Sequence, residues 1–344
     1  MRKRTSLTCP DCDGLTRRDL VKGAALAGLG LAATPALART GPPVRRADSE
    51  SLVTAFHKSL TPDQKKLMAF PFDHKLRSRI ENNWFITDHA GDEIKKAKVR
   101  VGTHFTPDQQ ALVKDIFTGL HSPEYADAVL KQVTHDNGSK GLETCSVALF
   151  GEPGTGKFEF VITGRHMTRR CDGDSVEGAA FGGPIFYGHA ALSFNESPKH
   201  EGNVYWYQAL RANELFQALD GKQREKALLG TARPEEGTDT VKVSGKTEGL
   251  PGLPVSAMSA DQKKLMRQVL ADVLAPYREK DRAESMKLLE ADGGFEKLHI
   301  SYYKNHDIGD DGVWDVWQVE GPHALWYFRG IPHVHTWVNI KAGA

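Results

Sequence analysis

The sequence predicts an α+β fold: one antiparallel sheet assembled from the middle and C-terminal strand clusters, with helices packed against it. Three observations carry this. Four helix-start signatures are spread over both halves of the chain, at Thr61, Thr106, Asp220 and Ser259. Two clusters have strand composition: 144–170, rich in Val, Phe, Ile and Thr on either side of a short turn, and 298–340, divided by tight Gly, Asp and Pro turns. Neither cluster makes a large sheet alone, so a shared sheet in a single domain over 39–344 is the economical arrangement.

Residues 1–38 stand outside that domain. Thr16-Arg17-Arg18-Asp19-Leu20-Val21-Lys22, the apolar run from Gly23 to Leu37 and the small-residue site Ala36-Leu37-Ala38 read as a twin-arginine export signal. The apolar run is rich in Gly and Ala and shorter than the ~20 residues of a bilayer span. Cleavage after Ala38 is therefore expected, with no stable membrane span afterwards. The export machinery is then a partner, and the location is periplasmic or otherwise extracytoplasmic. This route carries folded chains, many already loaded with a cofactor, which raises the expectation of an inserted metal or redox group.

The helix starts share one grammar. Thr61-Pro62-Asp63-Gln64, Thr106-Pro107-Asp108-Gln109, Asp220-Gly221-Lys222-Gln223 and Ser259-Ala260-Asp261-Gln262 each place a capping side chain three residues before a glutamine. In such a box the two side chains satisfy N–H groups left open at a helix start. Asp-Gln-Lys-Lys-Leu-Met occurs at 63–68 and again at 261–266, which reads as shared capping grammar in preference to an internal duplication. Leu112, Val113, Ile116 and Leu120 have helical spacing; Ser122-Pro123-Glu124 starts a further helix that Asn137-Gly138 stops. The Gly, Pro and Thr-rich stretch 231–254 reads as a long surface loop.

Strands are expected at Thr144 to Phe150, Phe158 to Arg170, Leu298 to Tyr303, Val313 to Val319, Ala324 to Phe328 and Val334 to Ile340. Gly151-Glu152-Pro153-Gly154-Thr155-Gly156-Lys157 nearly spells a phosphate-binding loop, but Phe158 follows the lysine and strand composition follows Phe158. A phosphate loop needs a Ser or Thr there and a helix leaving it. The segment is a hairpin turn, and no nucleotide is expected.

Composition narrows the partners. The chain has 45 Lys and Arg against 44 Asp and Glu, and cleavage after Ala38 leaves 39 against 41, a formal charge of −2. Near-neutral charge argues against nucleic acid or an anionic membrane surface as the main partner. Cys9 and Cys12 fall in the cleaved segment; Cys145 and Cys171 remain, either as one disulfide or as two core thiols.

Histidine carries the most promising chemistry. His333 and His335 stand at i and i+2 on an expected strand, so both project from one face, with Trp337 on that face and Pro332 fixing the entry. Neutral imidazole suits zinc, copper, iron or nickel. His166, on the apolar side of the expected strand with Phe158, Phe160 and Ile162, is the candidate third ligand. Gly164 beside it permits close approach of another group. His189, His200, Glu320 and His323 lie near turns and rank lower.

Arg165, Arg169 and Arg170 suit either an anionic substrate or a solvated sheet face. Cys171 to Glu177 reads as a tight turn, lacking the full calcium-loop pattern. The Gly-x-Ser-x-Gly hydrolase elbow does not occur. Tyr205-Trp206-Tyr207 and Trp314 to Trp317 suit a core, or a pocket for an organic ligand.

Several motifs together resemble one family. Met68-Ala69-Phe70-Pro71-Phe72-Asp73-His74, Gly164-Arg165-His166-Met167-Thr168, Gly182-Gly183-Pro184-Ile185-Phe186-Tyr187-Gly188-His189, Gly202-Asn203-Val204-Tyr205-Trp206-Tyr207-Gln208 and His333-Val334-His335-Thr336 are similar to motifs of the domain of unknown function 3500 family, in particular its bacterial members with twin-arginine signals. The resemblance covers nearly the whole mature chain. It implies that His166, His333 and His335 match the family's characteristic histidines. Arg165 departs from the broader pattern, where many members carry a second histidine.

The expectation is an extracytoplasmic metalloprotein in which His166, His333 and His335 hold one transition metal, with copper, zinc and iron undistinguished and hydrolysis and oxidation both open. Arg165, His189 and Trp337 are the candidate substrate-binding residues. The alternative is a metal-free periplasmic binding module for a small organic ligand. In a third reading the histidines only satisfy core hydrogen bonds.

Overall fold

The computed structural model describes residues 48–189, 203–304, 312–330 and 333–342, except for the Asp292 side chain. The expected export signal with Cys9 and Cys12, and also His200 and Pro332, lie outside them. The first half of the fold runs α1 (Ser49–Ser59), α2 (Pro62–Met68), β1 (Ala69–Phe70), α3 (Asp92–Ala97), α4 (Val101–His104), α5 (Pro107–Gly119), α6 (Ala126–Asn137), β2 (Ser146–Gly151), β3 (Phe158–Gly164), β4 (Met167–Cys171) and β5 (Ile185–His189). The second half runs α7 (Trp206–Gln217), α8 (Gly221–Ala227), β6 (Leu228–Leu229), β7 (Leu253–Pro254), α9 (Ala260–Leu274), α10 (Glu279–Glu290), β8 (His299–Tyr303), β9 (Val316–Glu320), β10 (Ala324–Arg329) and β11 (Val334–Ile340).

The strands form one sheet in the order β1-β2-β3-β4-β5-β11-β10-β9-β8-β6, with β7 on β8. Only β1–β2 and β6–β8 are parallel; the other pairs are antiparallel. This is the expected α+β architecture. The order reads the same from both ends: a helix pair (α1–α2, α7–α8) leads into a short edge strand, a second pair (α5–α6, α9–α10) follows, preceded in the first half by the short α3 and α4, and then four strands run inward to meet at β5 and β11.

All four capping boxes form, with Thr61, Thr106, Asp220 and Ser259 each accepting from the glutamine N–H three residues on. The glutamines also pair across the two helix pairs of each half. Gln64 and Gln109 exchange amide hydrogen bonds of 2.8 and 3.1 Å, and Gln223 and Gln262 exchange bonds of 3.0 and 2.8 Å. The structural counterpart of α2 is therefore α8, so the repeated hexapeptide in α2 and α9 sits in elements that do not correspond. Its repetition is capping grammar, while the two halves repeat one plan at the level of topology.

One sheet face packs under helices. Phe160 and Ile162 there meet Val53, Phe56, Val113, Ile116 and Phe117, while Tyr187, Trp317 and Val319 meet Ala209, Leu215, Met266 and Val269. On the other face Ala148, Phe150 and Val161 pack against Leu76 and Ile86, and Phe186, Tyr327 and Trp337 pack against Ile80 and Val241.

Several local expectations change. The strand expected over 158–170 is two strands, because the chain reverses at Arg165-His166 and pairs Gly164 with Met167. A Cβ on Gly164 would lie 2.6 Å from Cys145 Sγ, and His166 adopts the left-handed region at φ 55°. His166 therefore does not alternate with Phe158, Phe160 and Ile162; it caps a hairpin. The stretch 231–254 contains a 3₁₀ turn, Gly237–Val241, and both residues of β7, with Val241 buried against Phe186 and Trp337. Arg169 and Arg170 are not on a solvated face. Each is 3 % exposed; Arg169 donates to the Phe186 carbonyl, and Arg170 donates to the Pro184 carbonyl and to buried Glu159. Cys145 and Cys171 are free, buried thiols. The Gly151–Lys157 segment is a turn closed by Glu152 N–H donating to the Lys157 carbonyl at 3.0 Å.

Candidate metal centre

The central seam of the sheet brings the three singled-out histidines together. On β11 His335 lies opposite Gly188 of β5, and Trp337 lies opposite Phe186. Strand alternation puts His335, Trp337 and Phe186 on one face, where the Phe186 ring meets His335 edge-on at 5.1 Å and Trp337 at 4.6 Å. His333 immediately precedes the strand. His166 enters from the β3–β4 turn, held by its N–H donating to the Asn82 carbonyl at 2.8 Å. Gly188 makes room for it: a Cβ there would lie 2.2 Å from the Val334 carbonyl oxygen and 3.3 Å from His166 Cδ2.

The imidazoles converge through one nitrogen each. His166 Nε2 is 3.1 Å from His333 Nε2, which is 3.0 Å from His335 Nε2. Ring centroids are 4.8, 5.0 and 4.7 Å apart, nearly an equilateral triangle. Two nitrogens held about 2.0–2.1 Å from a zinc-like ion are roughly 2.9–3.4 Å apart for angles between octahedral and tetrahedral. The observed spacing falls in that range.

Tautomer logic gives the same answer. His335 Nδ1 is 2.8 Å from Glu235 Oε2, and Glu235 Oε1 pairs with Arg329 Nε at 2.8 Å. His166 Nδ1 stands 3.3 Å from Asp136 Oδ2. A ring that donates through Nδ1 to a carboxylate presents a lone pair at Nε2. His335 therefore aims its Nε2 lone pair at the cluster, and His166 does the same when its Nδ1–H faces Asp136; a single N–H on His333 cannot then satisfy both well. A cation placed between them would resolve the conflict, in the carboxylate–imidazole–metal pattern that orients metal-bound histidines.

The electrostatics keep the rings neutral. Burial holds all three below the ordinary histidine pKa, assisted by His335 and His166 around His333 and by Arg329 around His335; Asp136 opposes the shift at His166. Burial also works against the Asp136 carboxylate, but hydrogen bonds from His166 and His189 outweigh it and hold the carboxyl below its usual range. Glu235 is shifted upward by burial despite Arg329.

The other singled-out residues fall in different places. Arg165 is half-buried in the turn beside His166, and among the described residues its side chain has no hydrogen-bond or ion-pair partner. His189 sits on the opposite face of β5 from His335, its Nδ1 3.3 Å from Asp136 Oδ1. Trp337 is 1 % exposed in the apolar cluster that backs Phe186. Glu320 accepts from Arg233 at 2.9 Å and Gln318 at 2.6 Å, and His323 occupies the β9–β10 turn, the counterpart of the His166 turn in the second half. Tyr205, Trp206 and Trp317 are core.

Sequence reasoning missed both carboxylates. Asp136 sits in the last turn of α6 just before the Asn137-Gly138 stop, and Glu235 comes from the stretch read as surface loop. The adjacent His135-Asp136 pair at a helix end was the one local signal available.

The fold and side chains thus define an α+β protein with a buried three-imidazole cluster backed by two carboxylates. The chain belongs to the family described as Protein of unknown function (DUF3500), whose profile matches residues 44–340. Comparison with curated proteins and with solved structures gave no match.

Proposed function

We propose that this chain is a metalloprotein in which His166, His333 and His335 hold one transition metal at a site with an open position. The observation that carries the reading is the convergence of three buried Nε2 atoms, two of them on rings whose Nδ1 faces a carboxylate. Three neutral nitrogen donors suit zinc, copper or iron, and such an ion would supply Lewis-acid activation of water or substrate, or oxygen chemistry if it is iron or copper. Asp136 and Glu235 hold the rings in the ligating tautomer. Arg165, without a side-chain partner among the described residues, offers a guanidinium beside His166 to an anionic group on the substrate. The twin-arginine pattern at 16–22 supports loading before export to an extracytoplasmic compartment.

The test is metal content by mass spectrometry on the mature protein, alongside the His333→Ala/His335→Ala double variant and Arg165→Gln. The wild type should retain transition metal, and the double variant should lose one equivalent while keeping its circular dichroism and cooperative unfolding. Arg165→Gln should keep the metal but weaken the perturbation of a cobalt-substituted site by added phosphate. Wild-type protein that stays metal-free after reconstitution with zinc, copper and anaerobic iron(II) rules the reading out.

A further inference from the structure

We infer a second cation site, formed by His135, Asp136 and His189 on the helix-covered side of the sheet and joined to the three-histidine cluster through the Asp136 carboxylate. Each residue offers one ligand atom, and these atoms all lie within 4.8 Å of one another. Asp136 Oδ1 is 3.3 Å from His189 Nδ1, and the His135 and His189 rings are 5.3 Å apart. Ligand atoms about 2.0–2.2 Å from one ion stand roughly 2.9–3.5 Å apart at ordinary angles, so the Asp136–His189 spacing suits a shared cation.

Three further features favour a cation here. His135 and Asp136 lie in the last turn of the twelve-residue helix α6, whose C-terminus carries partial negative charge from its unsatisfied carbonyls. Asp136 and His189 are buried while His135 is exposed, which gives an ion a route in from solvent. Asp136 divides its oxygens, Oδ1 toward His189 and Oδ2 toward His166, so one carboxylate serves both sites. Two imidazoles and a carboxylate suit a borderline divalent ion such as zinc, iron(II) or cobalt(II), with coordination positions left over.

This inference uses different ligand atoms from the three-histidine reading and does not depend on it. Zinc-reconstituted full-length mature protein should bind two equivalents after dialysis. His135→Ala/His189→Gln should bind one, and His333→Ala/His335→Ala should also bind one. His135→Ala alone changes an exposed side chain and spares the core; it should weaken the second equivalent at least about tenfold. If Asp136 is only a hydrogen-bond acceptor shared by His166 and His189, both changes at His135 and His189 will leave zinc content and affinity as in the wild type, and the second site is refuted. A wild type that saturates at one equivalent, lost only with His333 and His335, refutes it equally. One equivalent that survives loss of His333 and His335 but not of His135 and His189 upholds this site and removes the other.

Discussion

Each residue of the three-histidine cluster was legible in the sequence to a different degree. His333 and His335 were plain, because a spacing of two on a strand fixes a common face whatever the rest of the fold does. His166 was identified for a reason the structure replaces: its ring reaches the cluster from a left-handed turn position and not by strand alternation. Glu235 was not legible at all, since 98 residues separate it from His333 and a carboxylate in a polar stretch carries no periodic signal. Its contribution is open to a direct check. Glu235→Gln keeps an acceptor for Arg329 but removes the charge facing His335 Nδ1, so metal affinity should fall about 10- to 100-fold with the fold retained. Competition against a chelator measures this, and an unchanged affinity would show that Glu235 supports only Arg329.

At the scale of elements, the helix starts were readable because capping is local chemistry, settled within four residues. Short strands were not. β1 and β6 have two residues each, and β5 carries Gly188 near its end, so none shows enough alternation to be distinguished from loop. The reciprocal glutamine pairs were hidden for a different reason: each joins residues 39 to 45 apart, Gln64 to Gln109 and Gln223 to Gln262. Each glutamine caps its own helix, bonds its partner amide and donates to a distant backbone carbonyl, His104 for Gln64 and Ala257 for Gln223. Gln64→Ala and Gln223→Ala should therefore cost about 1–2 kcal/mol each, more than cap loss at an isolated helix, because partner groups are left unsatisfied. The Gln64→Ala/Gln109→Ala pair should cost less than the sum of its single changes. Urea unfolding decides it; single-variant losses under about 0.5 kcal/mol, within the range of ordinary surface changes, would mean that water replaces the bonds.

For the whole molecule, the palindromic sheet order places the three-histidine cluster where the two halves meet. His166 and Asp136 come from the first half, and Glu235, His333 and His335 from the second, across the β5–β11 pair. The sequence pointed to a sheet shared by the middle and C-terminal strand clusters, but not to the palindromic order or the β5–β11 seam, because antiparallel pairing between strands nearly 150 residues apart leaves no local trace. A ligand that binds only the joined arrangement stabilises the folded state by mass action, by about 2.7 kcal/mol at a hundredfold excess over its dissociation constant. For a chain of this size that corresponds to several degrees in the unfolding midpoint. Chelator treatment of the metal-loaded wild type should therefore lower its melting temperature by several degrees, and added zinc should restore it. In the His333→Ala/His335→Ala variant most of that shift should disappear, leaving only what an ion at His135, Asp136 and His189 contributes. If the wild type binds metal through His333 and His335 yet melts at the same temperature with and without it, the ion binds the unfolded chain equally well. The cluster would then be no product of the seam, and the link drawn here between fold and site would fail.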